Sequence, residues 1–355
     1  MQSIKHTQGF KYPHWLMGEI DSLYADLSDN SQQITLFSQV YANNFKEIYE
    51  IFKEYGTWDM PDLMFQEKAI EPLKLPKYDP KNIIVCYSGG KDSLCAVRHY
   101  QKLGYNVYAY HIKGLNKTYA DEWKVAQLAA DTLGFKLEFG EIGYSGQHNW
   151  VEHPMKNMIM ANMALSYGIQ NNITTKVACG SFYSAFLNDV PFAVCAGDTK
   201  DMWEAYDRVI SKIIPKWHMY IPNKNYQTSY RMLLKEPELI PYTISCLTPV
   251  RFRQLFRDRT IRNYGVDLMH NRCGCCWKCA AEYIFFCDHN ILEFNKEYYL
   301  HCVEILVNTL EQEMGYRVFN LDRVWNNYMF YPLKKSKAYK ELENAVILST
   351  GIKFT

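Results

Sequence analysis

The stretch NIIVCYSGGKDSLCA, Asn82–Ala96, runs from four apolar positions through two glycines into a segment with helical spacing. A short β-rich run followed by a Gly turn and an amphipathic segment predicts strand, loop and helix. Working outward, YNVYAYHI (Tyr105–Ile112) predicts a second strand, EWKVAQLAADTLGF (Glu122–Phe135) a helix, and KLEFGEI (Lys136–Ile142) a third strand. Apolar strands alternating with helices indicate an α/β fold, a doubly wound, Rossmann-like parallel sheet covered on both faces. In such a sheet the turn after the first strand points free backbone N–H groups at an anion, so Ser88–Ser93 predicts a phosphate site. The G-x-x-x-x-G-K-[ST] loop would need a glycine five residues before Gly90, where Val85 stands. The dinucleotide fingerprint G-x-G-x-x-G is missing too, so neither common nucleotide loop applies.

The composition bounds the rest. The chain has 355 residues, 48% hydrophobic and 22% charged, with a formal net charge of +1. That balance fits a globular protein with a large core and excludes whole-protein attraction to nucleic acid or anionic membrane, leaving local patches to argue from. MQSIKHTQGFKYPHWLMGEI has no basic-then-apolar leader pattern and no apolar run reaches membrane-span length, so a cytosolic protein is expected, without membrane contact. In an intracellular chain, 11 cysteines suggest reduced core thiols plus a metal or redox site. Residues 1–80 form an N-terminal helical extension and linker, with Leu36, Phe37, Val40, Tyr41, Ile48, Ile51 and Phe52 at helical intervals and Pro72, Pro76 and Pro80 marking the boundary. Residues 81–240 form the α/β domain and 241–355 a Cys-rich, then helical, C-terminal region.

RCGCCWKC (Arg272–Cys279) spaces Cys273, Cys276 and Cys279 as C-x-x-C-x-x-C, and Cys246 supplies a fourth sulfur from upstream. Four thiolates suit a closed tetrahedral Zn²⁺ site with a structural role; reduced core cysteines or an iron–sulfur cluster are the competing readings, and Cys275 is an additional thiol beside the set.

The S-G-G-K-D-S segment resembles the PP-loop of the N-type ATP pyrophosphatases, which split ATP between its α- and β-phosphates. The resemblance implies that Ser88, Gly89, Gly90 and Ser93 cradle the leaving pyrophosphate, that Lys91 neutralises it, and that Asp92 acts through Mg²⁺. HPMKNMIMANMALSYGI (His153–Ile169) is similar to the P-x-R-N segment of the 7-cyano-7-deazaguanine synthases. Pro154, Lys156 and Asn157 fall on its positions and Lys156 replaces the family's arginine; a plain core helix is the other reading of this segment. VACGSFY resembles the family's short strand ending at the nucleotide, on Gly180 and Ser181, and the upstream Cys plus C-x-x-C-x-x-C arrangement is found there too. The resemblance spans about residues 82–290 and implies an ATP-dependent ligase. A deazaguanine-type carboxylate is adenylated, pyrophosphate leaves, and ammonia attacks to give an amide, which a second activation dehydrates to a nitrile. Lys91, Asp92 and Lys156 are the expected catalytic residues, and His111, after the second strand, is the expected adenine contact; a capped, satisfied histidine is the alternative. The acidic Pro/Cys segment that helps hold the deazaguanine is replaced by AGDTKDMWEAYDRVI, where Asp198, Asp201 and Trp203 are the acceptor candidates with Asn157. His148 and His153 flank Trp150 before the His153–Ile169 helix segment, where they line the acceptor pocket in one reading and a surface loop in the other. A homo-oligomer is the expected state.

The span between Cys246 and Cys273 carries Arg251, Arg253, Arg257, Arg259 and Arg262 with Phe252 and Phe256 between them. Two readings stand: a basic, aromatic surface for nucleic acid or protein, or a solvated helix burying Phe252, Leu255, Phe256 and Arg259. A nucleic-acid sulfurtransferase with a redox-active cluster, and a related protein repurposed for a defence or modification system, remain the alternatives to the ligase.

Overall fold

The computed structural model describes residues 75–113, 122–141, 156–179, 200–214, 219–220, 227–244, 246, 248–268 and 271–316. They fall into two compact units: those of Met1–Ser88, Asp92–Asn116 and Leu133–Asn223, and those of Gly89–Lys91, Lys117–Thr132 and Lys224–Thr355. The N-terminal helical extension and the tail beyond residue 316 lie outside the described residues. So do His148, Trp150, His153, Pro154, Gly180, Ser181 and Asp198.

The first unit is built on a parallel sheet of β1 (Asn82–Cys86), β2 (Asn106–Lys113), β3 (Lys136–Glu141), β4 (Val177–Cys179) and the two-residue β5 (Met219–Tyr220). Its order is β3-β2-β1-β4-β5, with Cys86 in register with both Tyr110 of β2 and Cys179 of β4. The chain therefore steps outward from β1 in one direction and then the other, and the order reverses between β1 and β4. Ile83, Ile84 and Val85 are each 0% exposed, which is why β1 reads as an unbroken apolar run instead of alternating. Burial of such a side chain stabilises the fold by roughly 1.5–3 kcal/mol. Helix α1 (Lys91–Lys102) follows β1 and buries Leu94, Ala96, Val97 and Tyr100. Helix α2 (Glu122–Leu133) precedes β3, helix α3 (Lys156–Gln170) packs on β1 and β4, and helix α4 (Lys200–Ile213) precedes β5. The linker residues 75–79 carry no regular structure.

Besides Gly89–Lys91 and most of α2, the second unit holds helix α5 (Gln227–Lys235), a 3₁₀ turn (Pro237–Tyr242), and helices α6 (Val250–Tyr264), α7 (Trp277–Asp288) and α8 (Lys296–Tyr316). Cys246, Cys273, Cys279, Tyr283, Ile284, Tyr298, Cys302 and Leu306 share one buried cluster. Its α7–α8 packing includes an edge-on Tyr283–Tyr298 pair with ring centroids 4.6 Å apart. Among the described residues no helix is long and apolar enough to cross a membrane.

Candidate active site and metal centre

The phosphate-loop candidate leaves the carboxyl end of β1 at the point where strand order reverses, the position at which open α/β sheets bind ligands. Gly89 has φ +82°, in the left-handed region that a residue with a side chain enters at a cost. A Cβ there would also lie 2.7 Å from Ile244 Cδ1, so any side chain at this residue would be both strained and crowded. The Ile244 N–H donates to the Gly89 carbonyl at 2.8 Å. Lys91 opens α1; it is 7% exposed, with its ammonium 5.0 Å from the centre of the Tyr230 ring, which itself packs on Phe285. Ser88 and Ser93 bring their hydroxyls within 3.3 Å, and Asp92 stands in the first turn of α1. A carboxylate in that turn repels a bound phosphate unless a divalent cation bridges the two.

His111 is buried in β2. Its Nδ1–H donates to the Tyr87 carbonyl at 2.9 Å, and its ring meets Phe139 edge-on. It thus fixes the residue preceding Ser88. Lys156 and Asn157 form the start of α3, and Asp201 and Trp203 lie in the first turn of α4, where Trp203 is buried.

The four cysteines singled out by spacing converge. Their sulfurs all lie within 4.8 Å of one another: Cys273–Cys279 at 3.9 Å, Cys276–Cys279 at 3.4 Å and Cys246–Cys276 at 4.0 Å. A tetrahedral ion with Zn–S bonds of about 2.3 Å needs sulfurs about 3.8 Å apart, so this set fits one ion. An iron–sulfur cluster divides the four thiolates among two or four irons and so spreads the sulfurs further than one ion does. Cys275 is exposed, with its sulfur 3.5 Å from that of Cys273. The turn is locally forced: Gly274 has φ +77°, a Cβ on it would meet Thr260 Oγ1 at 2.5 Å, and its carbonyl accepts from Tyr298 OH at 2.6 Å. Cys276 caps α7 and Cys279 sits in its first turn. Donation from Cys246, Cys275, Cys276 and Cys279 holds Cys273 well below the ordinary thiol range. Interaction with Cys246 and Cys273, with burial, pushes Cys276 and Cys279 well above it.

Of the buried stripe read as one possibility for α6, Phe256 packs against the cluster around these sulfurs, but the rest is corrected. Phe252 and Leu255 are 41% and 58% exposed, whereas Arg253 is buried. The reason is three acceptors that face its Nε and Nη2: Arg253 donates to Glu122 at 3.0 Å, to the Thr248 carbonyl at 2.7 Å and to the Cys246 carbonyl at 3.3 Å. The Thr248 N–H in turn donates to Cys246 Sγ at 3.3 Å, so Arg253 orients a candidate ligand from behind. Arg257 pairs with Asp267 at 2.6 Å, leaving Arg251, Arg259 and Arg262 exposed. Sequence reasoning missed Tyr230, Ile244, Arg272 and Glu282. Arg272 and Glu282, each 2% exposed, form an ion pair at 2.7 Å, and no local pattern marks either as buried.

No protein-family model matches the chain. No curated protein is significantly similar to it.

Proposed function

We propose that the protein is an ATP-dependent ligase of the PP-loop class, with a Rossmann-like nucleotide domain and a structural zinc centre. The observation that carries this reading is the loop Ser88–Ser93: a left-handed Gly89, a buried Lys91 and paired serine hydroxyls at the carboxyl end of β1, where the strand order reverses. In the proposed reaction a carboxylate oxygen of the acceptor attacks the α-phosphorus of ATP. The α–β bridging bond breaks, pyrophosphate departs into the loop, and ammonia displaces AMP at the acyl carbon. The backbone N–H groups and Lys91 offset the charge gathering on the leaving group. Asp92 is the residue that would hold Mg²⁺, which when bound would supply positive charge against the phosphates. The acceptor class carried by the resemblance is a deazaguanine-type carboxylate, with Lys156, Asn157, Asp198, Asp201 and Trp203 as its candidate contacts and His111 and Gly180 beside the nucleotide. Cys246, Cys273, Cys276 and Cys279 hold the zinc; the short sulfur–sulfur distances favour this over the cluster of a sulfurtransferase.

A second reading concerns the acceptor. Arg251, Arg259 and Arg262 are exposed on α6, with Phe252 and Leu255 exposed beside them. This stripe favours an acceptor carried on, or accompanied by, a phosphate polymer.

The test is pyrophosphate release from ATP and Mg²⁺, with ammonium and 7-carboxy-7-deazaguanine present or omitted. Release is expected to need the acceptor and to drop at least a hundredfold in Asp92→Ala without loss of fold. Release from that variant at the unmodified rate overturns the assignment.

A further inference from the structure

The phosphate-loop residues Gly89–Lys91 belong to the same compact unit as residues 224–355, and a continuous set of contacts inside that unit explains why. Gly89 is gripped through its carbonyl by the Ile244 N–H and from its open face by the Ile244 side chain. Lys91 lies over Tyr230 of α5. Both grips come from one segment, residues 230–244, so the conformation of that segment sets the loop.

What fixes the segment is Arg272. Its Nη1 donates to the Ile240 carbonyl at 3.1 Å and its Nη2 to Thr243 Oγ1 at 3.0 Å. Thr243 Oγ1 then donates to the Ile240 carbonyl at 2.8 Å, closing a small ring of hydrogen bonds at a residue that is 0% exposed. The neighbouring Asn271, whose φ of +69° an asparagine tolerates better than most residues, donates from Nδ2 to the Pro241 carbonyl at 2.8 Å. Glu282 holds the third edge of the guanidinium at 2.7 Å. A buried ion pair contributes little net stability compared with an apolar pair of the same volume. Its use here lies in geometry: only a planar fork reaches two points of the turn and Glu282 at once. Arg272 immediately precedes Cys273, so the anchor is continuous with the sulfur cluster.

We propose that Arg272, acting through Thr243 and Ile244, is a positioning residue for the phosphate loop. Through it the cysteine centre is coupled to nucleotide binding. The proposal rests on the reading of Ser88–Ser93 as a nucleotide site, and it deepens that reading by naming what holds the loop in shape.

The test compares Thr243→Val, which removes the hydroxyl at nearly constant volume, with Thr243→Ser, which keeps it. The readouts are ATP binding with Mg²⁺ by titration calorimetry, amide hydrogen exchange at Ile244, and zinc content. Thr243→Val is expected to weaken ATP binding about tenfold, as loss of a hydrogen-bonded anchor would, and to speed exchange at Ile244, with zinc content unchanged. Thr243→Ser restores both. Ile244→Val, which removes the methyl over Gly89 and keeps the amide, is expected to weaken binding without speeding exchange. Wild-type affinity and exchange in Thr243→Val overturn the coupling alone. Failure of the wild-type chain to bind ATP overturns the nucleotide reading and the coupling with it, while the exchange measurement still reports on the anchor itself.

Discussion

Gly89 concentrates the argument at the scale of one residue. Its φ of +82° and the 2.7 Å approach of Ile244 to the place of a Cβ are two separate penalties on any side chain. Gly89→Ala is therefore expected to destabilise the protein by about 1–2 kcal/mol from the left-handed backbone alone, with Ile244 forced to move as well. Thermal unfolding should show a midpoint lower by a few degrees, and ATP binding should fall further than the stability loss accounts for. An alanine variant with unchanged midpoint and unchanged binding would mean that the loop does not hold this conformation. Lys91 makes the complementary point. A lysine is normally exposed, and this one sits over an aromatic ring in a water-poor place, where its charge would act on a phosphate bound as proposed with little screening.

Among the elements, helix α6 separates what spacing encodes from what it does not. Strand β1, the loop and α1 were legible because their information is local: an apolar run, two glycines, then a helical repeat. Three of the four metal-ligand candidates were legible for the same reason, since C-x-x-C-x-x-C sets Cys273, Cys276 and Cys279 in one short run, whereas Cys246 comes from a separate segment upstream. The buried face of α6 was not legible, because Arg253 is held by Glu122, 131 residues away. Arg272 is invisible in the same way, its carbonyl partner Ile240 being 32 residues upstream. Apolar patterning assigns charged side chains to the surface, and only a distant partner reverses the assignment. The reversal leaves α6 presenting Arg251, Arg259 and Arg262 to solvent with Phe252 and Leu255. If the stripe serves a phosphate polymer, a fluorescent single-stranded oligonucleotide should bind with a log–log salt slope of roughly −2, three contacts at about −0.7 each. Replacing the three arginines by serine should abolish that binding and leave pyrophosphate release from small acceptors intact. A slope that survives the replacement would remove the stripe from the account.

For the molecule as a whole, the near-neutral charge of +1 leaves stability to packing and to the sulfur centre, around which the second unit's buried cluster is arranged. The four thiols differ in their hold on a proton: Cys273 lies well below the ordinary thiol range and Cys246 is lowered to about 7, while Cys276 and Cys279 are pushed well above it. Zinc must displace the protons that the raised thiols hold. Each proton released on binding makes the affinity rise about tenfold per pH unit. The direction follows from the sign of the shifts: raised thiols bind protons that compete with the metal, and the competition eases as pH rises. Chelation is expected to lower the thermal midpoint, and zinc added back should restore it more strongly at pH 8 than at pH 6. Calorimetry in buffers of different ionisation enthalpy would count the protons, and elemental analysis would identify the metal. A zinc affinity independent of pH, or iron with acid-labile sulfide in place of zinc, would show that these four sulfurs do not form a closed tetrahedral zinc site.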